Sequence, residues 1–204
     1  MDSSAHAVLG IAPHSGWAVA VLIAGPPAAP RVVLRERLEL ADRELAGSRQ
    51  PYHEIEGLPL AQAERRLAAL LASAVRLAGG ALERLIEQAR TAGVVPRAAG
   101  ILDSSGQGGA PLAMILASHA LIHTADGNHF RDALTRACEA LGLSVARVAQ
   151  RELEALATAA LGKSSEQLAA SVKELGRGLG SPWGADQKSA ALLAWLLLAR
   201  GARG

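Results

Sequence analysis

The stretch Val8–Ile23, VLGIAPHSGWAVAVLI, decides the fold. Val8 to Ala12 is an apolar run of strand length. Pro13, His14, Ser15 and Gly16 supply turn chemistry, because proline removes a ladder donor and glycine tolerates φ angles that other residues avoid. Trp17 to Ile23 is a second, nearly continuous apolar run rich in β-branched residues. A strand without polar alternation is one covered on both faces. The segment is therefore read as a hairpin of two interior strands.

Working outward, GPPAAP at Gly25–Pro30 is a loop that no strand can cross. RVVLRERLEL at Arg31–Leu40 alternates Val32, Leu34, Glu36, Leu38 and Leu40 with Val33, Arg35, Arg37 and Glu39. Period two predicts a half-exposed third strand at a sheet edge, antiparallel to the second. The polar stretch from Ala41 to Pro59 is a loop carrying Tyr52, His53, Glu54 and Glu56, either solvated or hanging over a site. Leu60 to Ala92 repeats apolar residues at three and four and predicts a long amphipathic helix. Gly79-Gly80 is expected to kink or split it, and Gly93 to end it.

VVPRAAGILD, Val94–Asp103, predicts a fourth, central strand, followed by the glycine-rich SSGQGGAP loop, Ser104–Pro111. That loop lacks the Lys-Ser/Thr ending of a phosphate-binding P-loop. LAMILASHALI, Leu112–Ile122, fits a strand or a short helix. A helix is expected to start near His123–Gly127, capped by Thr124 or Asp126, and to end at Gly142. Ser144 to Ala149 predicts a fifth strand, reached by a crossover. Helices then follow at Arg151–Leu161, at Ser164–Leu179, opened by the capping-box pair Ser164 and Gln167, and at Trp183–Arg200. The order β-β-β-α-β-α-β-α is that of an α/β domain with a mixed five-stranded sheet, three antiparallel strands then two parallel, flanked by helices.

Composition agrees with one domain over residues 1–204. Half of the residues are apolar but only 2% are aromatic, so the core must be built from Ala, Leu, Val and Ile. A net charge of +2 is too small to constitute a nucleic-acid footprint. The single cysteine, Cys138, excludes an internal disulfide or thiolate cluster. MDSSAHAVLG has no basic start before an apolar run, and the longest apolar run, Ala190–Ala199, has about half of the roughly 20 residues that a bilayer requires. The expectation is a cytoplasmic protein with no membrane partner.

Four segments carry a resemblance to a known family. These are GIAPHSGWAV from Gly10, ILDSS from Ile101, FRDALTRACEALGLSVARVAQREL from Phe130, and GADQKSAALLAWLLLA from Gly184. Together they resemble the ribonuclease H-like superfamily, and within it the RuvC-type Holliday junction resolvases. The resemblance implies hydrolysis of phosphodiesters by two Mg²⁺ ions held in a carboxylate cluster. It matches the acid of the fourth strand to Asp103 and the first acid of the last helix to Asp186. The first-strand aspartate that bridges both metals is replaced by Ala12, and the second helix acid by Ser189.

Two of four carboxylates remain, so the resemblance implies a catalytically degenerate domain with a binding or assembly role that involves nucleic acid. The alternative is a divergent endonuclease for structured DNA or RNA–DNA hybrid, with Asp103, Asp186 and His14 holding Mg²⁺ or Mn²⁺. Lys188 is its candidate phosphate contact, or else an exposed residue in the first turns of the helix. Such enzymes pair to grip symmetric junctions, so a homodimer is expected.

A separate set lies on other residues. His119 and His123 are spaced to share one helical face, and with Asp126 they offer ligands for a transition metal. His129 lies in the same stretch. The adjoining glutamate of an HExxH motif is absent, since Ala120 stands there. The competing reading is of histidines that cap or hydrogen-bond at a helix start.

Overall fold

A computed structural model describes residues 5–103 and 109–201. The first three strands are β1 (Ala5–His14), β2 (Trp17–Ala24) and β3 (Arg31–Glu39). A short helix α1 (Pro51–Glu54) and the long α2 (Leu60–Thr91) lead to β4 (Val94–Asp103). Then come α3 (Leu112–Leu116), α4 (His119–Ala140), β5 (Ser144–Ala149), α5 (Leu153–Leu161), α6 (Ser165–Leu175) and α7 (Ala185–Gly201). The sheet order is β3-β2-β1-β4-β5, with β1 antiparallel to β2, β2 antiparallel to β3, and β1-β4 and β4-β5 parallel. This is the mixed sheet expected from the sequence.

The apolar runs of β1 and β2 are covered on both faces. Leu9, Ile11, Ala18, Ala20 and Leu22 face α2 and α4. Val8, Ala12, Val19, Val21 and Ile23 face α7. The hairpin turns at Ser15-Gly16, where Gly16 has φ +83°. Two glycines set how closely α7 can lie. Gly10 of β1 and Gly100 of β4 are register partners. A Cβ on Gly10 would come within 1.9 Å of the Ala190 carbonyl oxygen, and one on Gly100 within 2.7 Å of Leu193. Strand glycines mark such close backbone approach.

Several local expectations are corrected. The alternation of β3 is broken by a register shift opposite Leu22/Ile23, where Leu22 pairs with Leu34 but Ile23 with Val32. The extra residue puts both Val33 and Leu34 against the α2 face, while Val32 joins the α7 face. Gly79-Gly80 does not break α2, which is continuous from Leu60 to Thr91. Buried Ala74, Ala78, Ala81, Leu82 and Leu85 anchor the helix on either side of the pair, which outweighs the glycine cost of about 1 kcal/mol.

Leu112–Ile122 forms no strand: α3 takes Leu112–Leu116 and α4 begins at His119 after a break at Ala117-Ser118. Helix α4 starts at His119 after Ser118, so Thr124 and Asp126 lie inside it rather than at its cap. Helix α6 carries the complete Ser164/Gln167 capping box but ends at Leu175, short of Gly180. The segment that follows is fixed from β3, because the Arg35 guanidinium donates to the carbonyls of Leu179, Gly180, Ser181 and Pro182. Trp183 and Trp195 are packing residues whose indole N–H groups reach the carbonyls of Val172 and Pro27. Cys138 is fully buried and its thiol is pushed up to about 12 by burial, so it is not a nucleophile. Among the described residues no helix is long and apolar enough to cross a membrane.

Candidate functional site

The fold brings the ends of β1 and β4 toward the start of α7. At the first of these, Ala12 is 5% exposed and packs in the cluster that holds Ala190, Ala191 and Ala194. A methyl group fills the place from which the resemblance would project a bridging carboxylate.

His14, two residues on, lies at the solvent edge. Its Nε2 is 3.1 Å from Oδ1 of Asp186 in the first turn of α7. The same imidazole stacks on Trp17 at 4.1 Å between centroids, and the Arg37 guanidinium covers that indole at 3.8 Å. Asp186, His14, Trp17 and Arg37 thus form one surface stack. Beside it, the Gln150 side-chain amide donates to Ser189 Oγ at 3.4 Å, and Lys188 is exposed.

Asp103, the last residue of β4, is held by arginines. Nε and a terminal nitrogen of Arg147, on β5, donate to its two oxygens at 3.0 Å each. Arg131, on α4, approaches at 3.5 Å and also donates to the Leu102 carbonyl. Arg147 continues to Asp132 at 2.7 Å. Burial works to lower the pKa of Arg147, but its bonds to Asp103 and Asp132 outweigh that and raise it. Burial lowers that of Arg131. Asp103, Asp132 and Arg147 line a cleft of about 500 Å³ with Tyr52, Thr124 and Asn128. Residues Ser104 to Gly108 of the glycine-rich loop lie outside the described residues.

The second predicted group also assembles, with a change of membership. His119 and His123 lie one turn apart on α4 with their Nε2 atoms 3.1 Å apart. The third member is His53 of α1, and one ring nitrogen from each of the three lies within 4.8 Å of the others. Asp126 stands behind them. Its Oδ2 is 2.5 Å from Nδ1 of His53, and its Oδ1 accepts the Tyr52 backbone N–H at 2.7 Å. Asp126 is 4% exposed, and burial raises its pKa despite these bonds.

His129 turns into the core instead. Its ring bonds the Leu70 backbone, its Nε2 has no partner among the described residues, and burial lowers its pKa to about 4. Sequence reasoning missed His53 as a member of this group and Arg131 and Arg147 as partners of Asp103. The only available signal was residue type, since each partner is remote in sequence.

No family model matches the chain, and no curated protein matches it. Solved structures do. A RuvC structure from T. thermophilus in complex with a Holliday junction substrate is 14% identical, with a TM-score of 0.57 over 98% of this chain and 96% of that one. A second RuvC structure, from Thermus thermophilus, is 13% identical, with a TM-score of 0.57 over 97% of this chain and 96% of the other. Agreement across nearly the whole of both chains, at this identity, establishes architecture rather than chemistry: the chain has a ribonuclease H-like fold of the RuvC type.

Proposed function

We propose that this chain is a RuvC-like domain whose hydrolytic centre has been replaced by ion pairs, and that it acts by binding structured nucleic acid rather than by cutting it. The capture of Asp103 by Arg147 and Arg131 is the observation that carries this reading. A carboxylate offers about four acceptor positions. The bidentate guanidinium takes one on each oxygen, and a divalent ion added there would face two fixed positive charges. Hard cations such as Mg²⁺ or Mn²⁺ need several oxygen ligands. The groups at the matched positions are a methyl, an arginine-paired carboxylate, a carboxylate paired with His14, and a hydroxyl engaged by Gln150. That set does not fit a pair of divalent ions.

The T. thermophilus RuvC bound to a Holliday junction makes a four-way DNA junction the first ligand to try, and two copies per symmetric junction the expected stoichiometry. The purified protein, mixed with labelled junction, duplex and RNA–DNA hybrid in Mg²⁺ or Mn²⁺, is expected to retard the junction and leave every strand intact. Cleavage that needs metal and disappears in Asp103→Ala would replace this reading with the divergent endonuclease. Absence of retardation on all three would remove the binding role.

A further inference from the structure

We infer that His53, His119 and His123 form a mononuclear site for a divalent transition ion of the zinc class, with Asp126 orienting one ligand and one coordination position open to solvent. This inference stands apart from the reading of the RuvC-type cleft.

The geometry is close to what such an ion requires. Zinc takes imidazole nitrogens at about 2.0–2.1 Å in tetrahedral geometry, so two of its ligands lie about 3.3 Å apart. His119 Nε2 and His123 Nε2 are separated by 3.1 Å. They reach this spacing because residues four apart on a helix share a face. One ring nitrogen of His53 falls within 4.8 Å of both, and metal binding would draw that ring in toward the ligand spacing of about 3.3 Å. The rings meet edge to face, at 89° for His53–His119, 63° for His53–His123 and 79° for His119–His123. That arrangement lets in-plane lone pairs converge, which parallel stacking would prevent.

Asp126 supplies what a histidine cluster alone lacks. An ionised carboxylate at Nδ1 of His53 requires that nitrogen to carry the proton, which leaves Nε2 as a lone pair. The carboxylate is itself buried and held by the Tyr52 N–H. A carboxylate–histidine pair of this kind fixes the tautomer and the ring of a metal ligand. Imidazole donors favour zinc, copper, nickel or cobalt over magnesium. His119 and His123 are exposed, so three protein ligands would leave the fourth position for water or a small exogenous ligand.

The test uses the full chain, stripped of metal with chelator and titrated with ZnCl₂ alone by calorimetry, and with CoCl₂ by visible absorption. One equivalent of Zn²⁺ and intense d–d bands of four-coordinate Co²⁺ are expected. The double variant His119→Ala/His123→Ala should lose the one-equivalent isotherm, and Asp126→Asn should weaken it by about 10–100-fold. Both histidines are exposed, so the double variant should keep its circular dichroism spectrum. Binding below a tenth of an equivalent, a six-coordinate Co²⁺ spectrum in the parent chain, or unchanged affinity in the double variant would each overturn the inference.

Discussion

Asp103 and Asp126 are both held by partners, but the partners described for them differ in kind. Asp103, with a quarter of its side chain exposed, meets two guanidinium groups that never give up their charge. Asp126, with 5% of its side chain exposed, meets an imidazole and a backbone N–H. The first arrangement offsets the charge of a carboxylate with fixed cations. The second uses a carboxylate to aim another side chain. A carboxylate in a cleft is thus informative only with its partner, and we assign metal binding to the imidazoles of His53, His119 and His123 rather than to Asp103 and Asp186.

Four measurements press on that difference. The largest effect is expected from Ala12→Asp, which returns the missing acid. Ala12 packs among apolar residues under α7, so the new carboxylate enters a buried site without a partner. Stability in urea should fall by about 3–4 kcal/mol, and no junction cleavage should appear. Full stability combined with metal-dependent cleavage would show that the site had kept its room and its ligands.

The second is acid sensitivity on the α4 side. His129 is held neutral, with a folded-state pKa of about 4 against 6.5 for the ordinary group. The unfolded chain therefore binds the extra proton between these values. Stability should be complete above pH 6.5 and fall by on the order of 3 kcal/mol as pH drops toward 4. Asp126, whose pKa burial raises, works in the opposite direction and softens the slope. The variant His129→Gln should flatten most of it in denaturation curves taken across that range.

The third is Asp126→Ala, which strands the Tyr52 N–H and Nδ1 of His53. It is expected to cost about 2 kcal/mol. The fourth and smallest is Asp103→Ala, at about 1 kcal/mol. Arg147 keeps Asp132, and Arg131 keeps the Leu102 carbonyl. If the order of these last two were reversed in paired chemical denaturation, the contrast drawn between the aspartates would fail.

The sheet was legible because its evidence is local. Covered strands show as unbroken apolar runs, and Gly10 and Gly16 sit where a close approach and a turn need them. The bulge in β3 was not, because Val32-Val33-Leu34 satisfies either face until β2 imposes the register. The start of α4 was misplaced because Thr124 and Asp126 are good caps in isolation, and only the packing of Ile122 shows that the helix is already under way.

Chain order assigned Ala12, Asp103, Asp186 and Ser189 by resemblance. The partner of Asp103 lies 44 residues away on β5 and that of Asp126 lies 73 residues away on α1. No spacing rule spans such distances. His119 and His123 could be paired because helical periodicity links them, whereas His53 joins them only through the tertiary packing of α1 on α4.

The central claim concerns Asp103 and its arginine partners at the end of β4. A crystal soaked in MnCl₂ and measured at the manganese edge reads it directly. The account predicts no anomalous peak there, with Arg147 still bridging Asp103 and Asp132. Two peaks about 4 Å apart, with Arg147 displaced from Asp103, would contradict it.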